Sequence, residues 1–288
     1  LRADAVAPHT SEIQTPTFEQ LASEGTVFEH AYAHGNWTPM SFPSILASRP
    51  VFTDTGKIGV RGVMTLAETL QDAGVATAGF NAANGFLTGH WNYDEGFDEF
   101  EAFIDAEADH KYNEFIAAHP TLAAWGQLAT SPVRKLRAKL SRSGQEQPFT
   151  DTSRLLDVER RATSFIDRAE ADEPFFLWLH YMDVHTPYVP APRYLRESEE
   201  SSIRLHRMLA AHIRTGLGWR VDEETLADLR TLYQGAVRQV DDSLSRVLSA
   251  LRDGGHAEDT AVIVTGDHGE EFMEHGHLAN YPTLYNEL

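Results

Sequence analysis

The stretch Val262-Ile263-Val264-Thr265-Gly266-Asp267-His268-Gly269-Glu270-Glu271-Phe272-Met273-Glu274-His275-Gly276-His277 decides how the chain is read. An apolar run stops at an acid–imidazole pair, and more histidines follow. The pattern predicts a buried strand over Ala261–Thr265 that delivers metal-ligand side chains to its carboxyl end. Carboxylate plus neutral imidazole suits a borderline divalent cation such as zinc or manganese. The carboxyl edge of a parallel sheet is also where open α/β folds place their ligands. Asp267, His268, His275 and His277 supply four potential ligands within eleven residues. The ordinary alternative is that Asp267 caps a turn and the histidines lie on the surface.

Upstream of this stretch a helix from about Thr225 to Arg252, broken near Gly235, stops at Gly254-Gly255. The same rhythm of helix then strand recurs twice. Arg154 to Glu170, apolar at helical spacing, precedes the continuous apolar run Pro174-Phe175-Phe176-Leu177-Trp178-Leu179-His180. Thr65-Leu66-Ala67-Glu68 is a capping box that opens a helix running to Gly74, ahead of the apolar run Val75 to Phe80. A first helix is marked by Thr15 as cap, Pro16 at the first helical position and Gly25 just past the end. The expected fold class is therefore α/β, a mainly parallel central sheet sandwiched between helices. Residues 105–150 interrupt the rhythm with poorly amphipathic helical sequence, which reads as an inserted helical segment or cap. Five basic residues and no acid lie within 131–142; they suit either a solvated helix face or steering of an anionic substrate.

Bulk properties narrow the function classes. A chain of 288 residues with 42% hydrophobic content can bury one large core. The net charge of −19, with four lysines against twenty arginines, argues against a nucleic-acid footprint. With no cysteine, any metal must be held by oxygen and nitrogen ligands. No stretch approaches transmembrane length and the amino end has no signal-peptide pattern. Beginning at Leu1 and ending at Leu288, the chain reads as an internal fragment. Localisation and oligomeric state stay open.

Two other segments carry candidate chemistry. In Trp37-Thr38-Pro39-Met40-Ser41-Phe42-Pro43-Ser44-Ile45-Leu46, hydroxyls stand among prolines just ahead of an apolar helical run. A hydroxyl at a helix amino end can serve as a nucleophile, because the backbone N–H groups and dipole stabilise negative charge there. Ser41 fits that position, although Ser41 or Ser44 can equally be a simple helix cap. In His180-Tyr181-Met182-Asp183-Val184-His185-Thr186-Pro187-Tyr188, polar side chains follow a second buried strand. His185 is placed to hydrogen-bond an anionic oxygen or to protonate a leaving group, the alternative being a satisfied loop histidine.

Together these segments resemble the sulfatase family of the alkaline phosphatase superfamily. Leu1-Arg2-Ala3-Asp4 resembles the tail of the family's opening metal motif, Trp37 to Ser44 its nucleophile segment, and Gly96-Phe97-Asp98-Glu99-Phe100 a common early signature. His180 to Tyr188 resembles its histidine loop, Tyr233 to Asp242 the helix before the last metal strand, and Thr265 to Gly276 that metal motif. The resemblance implies a metal-dependent hydrolase of sulfate esters acting on a small anionic ester. It makes Asp267 and His268 ligands of a divalent metal ion (calcium, magnesium, manganese or zinc) and Ser41 the nucleophile. His185 is then a catalytic contact, while His277, Asp183 and Thr38 bind substrate. Thr38 is also the fallback nucleophile, because some relatives place threonine directly after a tryptophan.

Departures from the family pattern open rival readings. The family's opening aspartate, on an apolar strand before the position of Leu1, is absent from this sequence. Ile45 stands where the formylglycine pattern C/S-x-P-x-R needs arginine, which argues against formylglycine. Asn81 and Tyr281 fall where arylsulfatases carry sulfate-gripping lysines. An unmodified hydroxyl beside Asp-His-Gly-Glu is the arrangement of phosphoethanolamine transferases and lipoteichoic acid synthases in the same superfamily. Phosphatase, phosphodiesterase or phosphoryl-transferase activity is thus the rival. A binding protein with the same fold and a crippled site is an alternative of another class.

Overall fold

The computed structural model describes residues 1–50, 59–103, 154–170, 173–186, 188–195 and 221–279. The expected insertion at 105–150 and Tyr281 lie outside the described residues. The helices are α1 (Pro16–Glu24), α2 (Thr38–Ala47), α3 (Leu66–Asp72), α4 (Leu155–Arg168) and α5 (Glu223–Asp253). The strands are β1 (Ala76–Asn81), β2 (Glu99–Glu101), β3 (Phe175–His180), β4 (Glu271–Phe272) and β5 (Leu278–Ala279).

The capping box at Thr65 forms as its sequence demands. The Thr65 hydroxyl accepts from the Glu68 N–H (3.1 Å) and the Glu68 carboxylate accepts from the Thr65 N–H (2.7 Å), so α3 starts at Leu66. Gly74, at φ +81°, turns the chain into β1 without the Cβ penalty that other residues meet there. β1 is the centre of a parallel sheet in the order β2-β1-β3. Its register with β3 runs from Ala76 opposite Phe175 to Asn81 opposite His180, so both carboxyl ends finish level.

Period-two alternation sends β1 side chains to two different cores. Ala78 and Phe80 face α4 and α5 in a cluster with Val158, Ala162, Ile166, Val237 and Val247. Val158 and Ile166 are essentially fully buried, which stabilises the fold by about 2 kcal/mol per side chain. Thr77 and Gly79 face the other way. A Cβ on Gly79 would stand 3.0 Å from Phe100 and 3.1 Å from Phe97, so the glycine lets those rings lie flat on the sheet. Phe97 stacks on Phe176 (5.9 Å) and Phe100 on Trp178 (6.4 Å). Further along this face, Phe42 and Leu46 of α2 pack with Val60, Leu87 and Tyr93. The sheet is therefore covered by helices on both sides, the expected α/β sandwich.

Three local expectations are corrected. Helix α5 runs unbroken through Gly235. A Cβ there would meet Pro190 Cγ at 2.9 Å, so the glycine serves close packing against the 190–195 turn, and good helix formers on both sides carry the helix through. Thr15 does not cap α1 with its side chain; its hydroxyl accepts the Ala7 N–H (3.0 Å). The cap comes from Asp241 of α5, which takes the N–H groups of Thr17 and Phe18 (both 3.0 Å). Finally, 261–265 is neither paired nor buried: Ile263 is 87% exposed, with Val262 and Val264 also exposed. An apolar run becomes a strand only beside another strand, and no described segment pairs with this one.

Candidate active site

The carboxyl ends of β1 and β3, the first turn of α2 and the 265–270 turn meet at one edge. The prolines of the Trp37–Ser44 segment govern where α2 begins. Trp37 is extended (φ −151°), and its carbonyl accepts the N–H groups of Met40 (2.8 Å) and Ser41 (3.2 Å). Pro39, lacking an N–H, fits the second helical position, where no intrahelical acceptor is needed. The helix thus starts at Thr38, so that Thr38 and not Ser41 stands at its amino end.

That shift reassigns the hydroxyls. Thr38, 4% exposed, donates from Oγ1 to Asp267 Oδ2 at 2.8 Å. Ser41, 2% exposed, donates instead to the Gly35 carbonyl at 2.7 Å. The expected nucleophile is committed to a loop carbonyl, and the fallback hydroxyl sits on the metal motif at the positive end of a helix.

Asp267 and His268 face one another. His268 is buried, and its Nδ1 lies 2.8 Å from the Gly269 carbonyl. A carbonyl can only accept, so Nδ1 carries the hydrogen and Nε2 keeps its lone pair. That Nε2 is 3.6 Å from Asp267 Oδ2. Burial alone would raise the Asp267 pKa, but the His268 and His180 rings and the Thr38 hydroxyl pull it the other way, and the carboxyl stands below its ordinary value. The start of the chain closes this turn: the Leu1 nitrogen donates to the His268 carbonyl (2.8 Å), and Arg2 Nη1 to the Glu270 carbonyl (2.9 Å). The two segments that resemble opening and closing metal motifs are thereby in contact.

His185 joins the site at its rim, its ring centroid 6.5 Å from that of His268. Its Nδ1 donates to the Thr186 carbonyl (2.6 Å), which leaves Nε2 as the reactive nitrogen. Asp183, expected to contact substrate, faces α5. It is buried, and its Oδ1 accepts from Gln239 Nε2 of α5 (2.8 Å), tying the histidine loop to the helix. His277 lies at the β4–β5 hairpin, where its N–H donates to Glu271 Oε1 (3.2 Å). His180, given no role from the sequence, stands beside Asn81 at the site edge. Its signal was its position at the last residue of an apolar strand.

The donor set suits a divalent cation in kind. Asp267 supplies a carboxylate held ionised, His268 an Nε2 lone pair in the required tautomer, and Thr38 a hydroxyl on the same carboxylate. Among the described residues, no group of three or more histidines or carboxylates gathers in metal-binding geometry. A cavity of about 1360 Å³ opens beside the pair, lined by Asp267, His268, Phe28, Tyr32 and Ile263 among others. Among the described residues, no helix is long and apolar enough to cross a membrane.

A family model described as Sulfatase matches residues 1–287. The uncharacterized sulfatase YidJ of Escherichia coli (strain K12) is 25% identical over 96% of this chain and 56% of that protein. The multifunctional alkaline phosphatase superfamily protein PehA of Trinickia caryophylli is 30% identical over 40% of this chain and 27% of that protein. Among solved structures, the phosphonate monoester hydrolase of Agrobacterium radiobacter superposes with a TM-score of 0.67 at 15% identity, over 99% of this chain and 64% of that one. The phosphonate monoester hydrolase SpPMH from Silicibacter pomeroyi gives 0.65 at 18% identity, over 100% and 64%. The chain spans less than two thirds of the length of each of these proteins. The match along almost its whole length establishes that the chain belongs to the sulfatase family.

Proposed function

We propose that this protein is a metal-dependent hydrolase of small anionic esters in which Thr38 is the nucleophile, with phosphate or phosphonate esters as substrates. The observation that carries the reading is the 2.8 Å hydrogen bond from Thr38 Oγ1 to Asp267 Oδ2 at the amino end of α2. Threonine bears a methyl group on Cβ, so the aldehyde of formylglycine cannot be made from it. The hydroxyl must attack as itself. Phosphoryl and phosphonyl transfer through an alkoxide suit such a nucleophile, and the two superposed phosphonate monoester hydrolases support this substrate class.

Asp267 and His268 would hold the divalent cation. When bound, it supplies positive charge that lowers the cost of the Thr38 alkoxide and of charge growing on the ester oxygens. In the first step the Thr38 Oγ1–P bond forms as the bond to the leaving oxygen breaks, and the hydroxyl proton passes to solvent water. The α2 amino end stabilises the developing charge on Oγ1. His185, with Nδ1–H fixed on Thr186, presents Nε2 toward the rim, where its protonated form gives a proton to the leaving alcohol. Water then forms a new O–P bond as the Oγ1–P bond breaks, and one of its protons returns to Thr38 Oγ1.

Sulfate-ester hydrolysis is the second reading, favoured by the match to the sulfatase family model. Turnover of aryl phosphate, phosphonate monoester and aryl sulfate by the wild type, Thr38→Val and Ser41→Ala separates these possibilities. The proposal expects phosphorus esters to be preferred, loss of turnover in Thr38→Val and its retention in Ser41→Ala. Retained turnover in Thr38→Val would remove Thr38 from the role. Absence of both metal binding and turnover in the wild type would favour the binding-protein alternative.

A further inference from the structure

His180 and Asn81 are register partners across β3 and β1, the last residues of two parallel strands. Asn81 has 0% exposure, and its amide is fully committed. Nδ2 donates to the carbonyls of Asn84 (2.8 Å) and Leu87 (2.7 Å), while Oδ1 accepts the Asn84 N–H (3.0 Å). The atom it turns to His180 is therefore an acceptor, Oδ1, at 3.1 Å from Nδ1. That contact requires Nδ1–H on His180 and leaves the lone pair on Nε2. Among the described residues, Nε2 makes no hydrogen bond.

The ring packs against Phe42 at 5.4 Å and Trp178 at 6.0 Å. Phe42 lies four residues after Thr38 in α2, so the two share a helix face, and His180 lies beside that face. Burial among these rings pushes its pKa down to about 4, which keeps the imidazole neutral, and Asp267, His185 and His268 are its charged or titratable neighbours. A neutral ring with a bare nitrogen can accept a hydrogen bond but has no proton to give there.

We propose that His180 is a positioning residue for the Thr38 nucleophile: its Nε2 accepts the Thr38 hydroxyl when a cation occupies Asp267, holding Oγ1 in the attacking rotamer. The inference rests on the reading of Thr38 given above. In the metal-free arrangement the hydroxyl hydrogen is taken by Asp267 Oδ2. A cation on that oxygen weakens it as an acceptor, and a buried hydroxyl then needs another. Threonine, branched at Cβ, has few χ1 choices, so one such bond selects its rotamer. Asn81 fixes the tautomer that makes the acceptor.

The first test uses long-range imidazole nitrogen–proton NMR on the metal-free protein. The expected pattern for His180 is Nδ1–H with bare Nε2, and the opposite tautomer would overturn the inference. Adding Zn²⁺ should move the Nε2 resonance to the hydrogen-bonded position in the wild type and leave it unmoved in Thr38→Val. An equal shift in both would mean that Nε2 binds the metal itself, which also overturns it. In turnover assays, His180→Asn keeps the contact to Asn81 but loses the acceptor, so kcat should fall roughly 10- to 100-fold with KM unchanged. His180→Gln, whose amide oxygen reaches the Nε2 position, should recover most of that loss. Wild-type kcat in His180→Asn refutes the positioning role while leaving Thr38 as nucleophile, whereas turnover in Thr38→Val refutes the nucleophile instead. If the Asn variant does not fold, the wild-type and Thr38→Val spectra still decide the matter.

Discussion

Replacing Asp241 tests whether the α5 helix holds α1 in place by capping it. Asp241 is 2% exposed, and its Oδ1 accepts the N–H groups of Thr17 and Phe18, both at 3.0 Å. Its own carbonyl accepts the Thr17 hydroxyl at 3.0 Å. Thr17 and Phe18 are the second and third residues of α1, whose own Thr15 gives no side-chain cap. Asp241→Ala therefore leaves two buried N–H groups without acceptors. Each orphaned donor costs about 1–3 kcal/mol, and losing a helix cap about 0.5–2 kcal/mol. Burial of the carboxyl, which raises its pKa despite the bonds from Phe18 and Thr17, offsets part of that cost. The net expectation is a loss of about 2–3 kcal/mol for Asp241→Ala and about 1 kcal/mol for Asp241→Asn, which keeps a carbonyl acceptor. Urea unfolding reads this as a lower midpoint at unchanged slope. An alanine variant within about 0.5 kcal/mol of wild type, or an asparagine variant no better than alanine, would refute the capping argument.

Two further outcomes follow from the site. The His180 pKa stands near 4 in the folded protein against 6.5 ordinarily, so between those values the unfolded chain takes up a proton that the folded one refuses. Stability should fall by up to about 3 kcal/mol as pH drops through that window and owe nothing to His180 above it. Urea midpoints at both ends of the window, compared between wild type and His180→Gln, isolate this share, and equal losses in the two would contradict it. Zn²⁺ or Mn²⁺ at a hundredfold excess over its Kd should stabilise the protein by about 2.7 kcal/mol, seen as a higher Tm. Asp267→Asn and His268→Ala should abolish the increase; a rise that survives both places the metal elsewhere.

Local chemistry was legible wherever a few neighbouring residues settle it. The Thr65–Glu68 box starts α3, and the apolar runs at 75–80 and 174–180 become adjacent parallel strands. The Asp267–His268 pair could be read from the types and order of its residues alone. What escaped depends on contacts distant in sequence. Val262 to Val264 are apolar enough for a core strand, yet pairing requires a neighbour that no local pattern supplies. Gly235 looked like a helix breaker because its packing partners, Pro190 and Leu195, are remote. The hydroxyls show this most sharply. Ser41 and Thr38 are one helical turn apart, and only the point where α2 begins decides which of them meets Asp267. The Tyr233–Asp242 segment, noticed only as a family resemblance, proves to be structural: Tyr233 accepts the Arg2 N–H and Asp241 caps α1.

If Thr38 attacks the ester, turnover passes through a covalent phosphothreonine that acid can trap. The protein would be quenched with acid during turnover of an aryl phosphate, and the peptide spanning Trp37 to Leu46 sequenced by fragmentation mass spectrometry. The account predicts one phosphoryl group on Thr38 and an unmodified Ser41. A phosphoryl group or an aldehyde at Ser41, with Thr38 untouched, would contradict it.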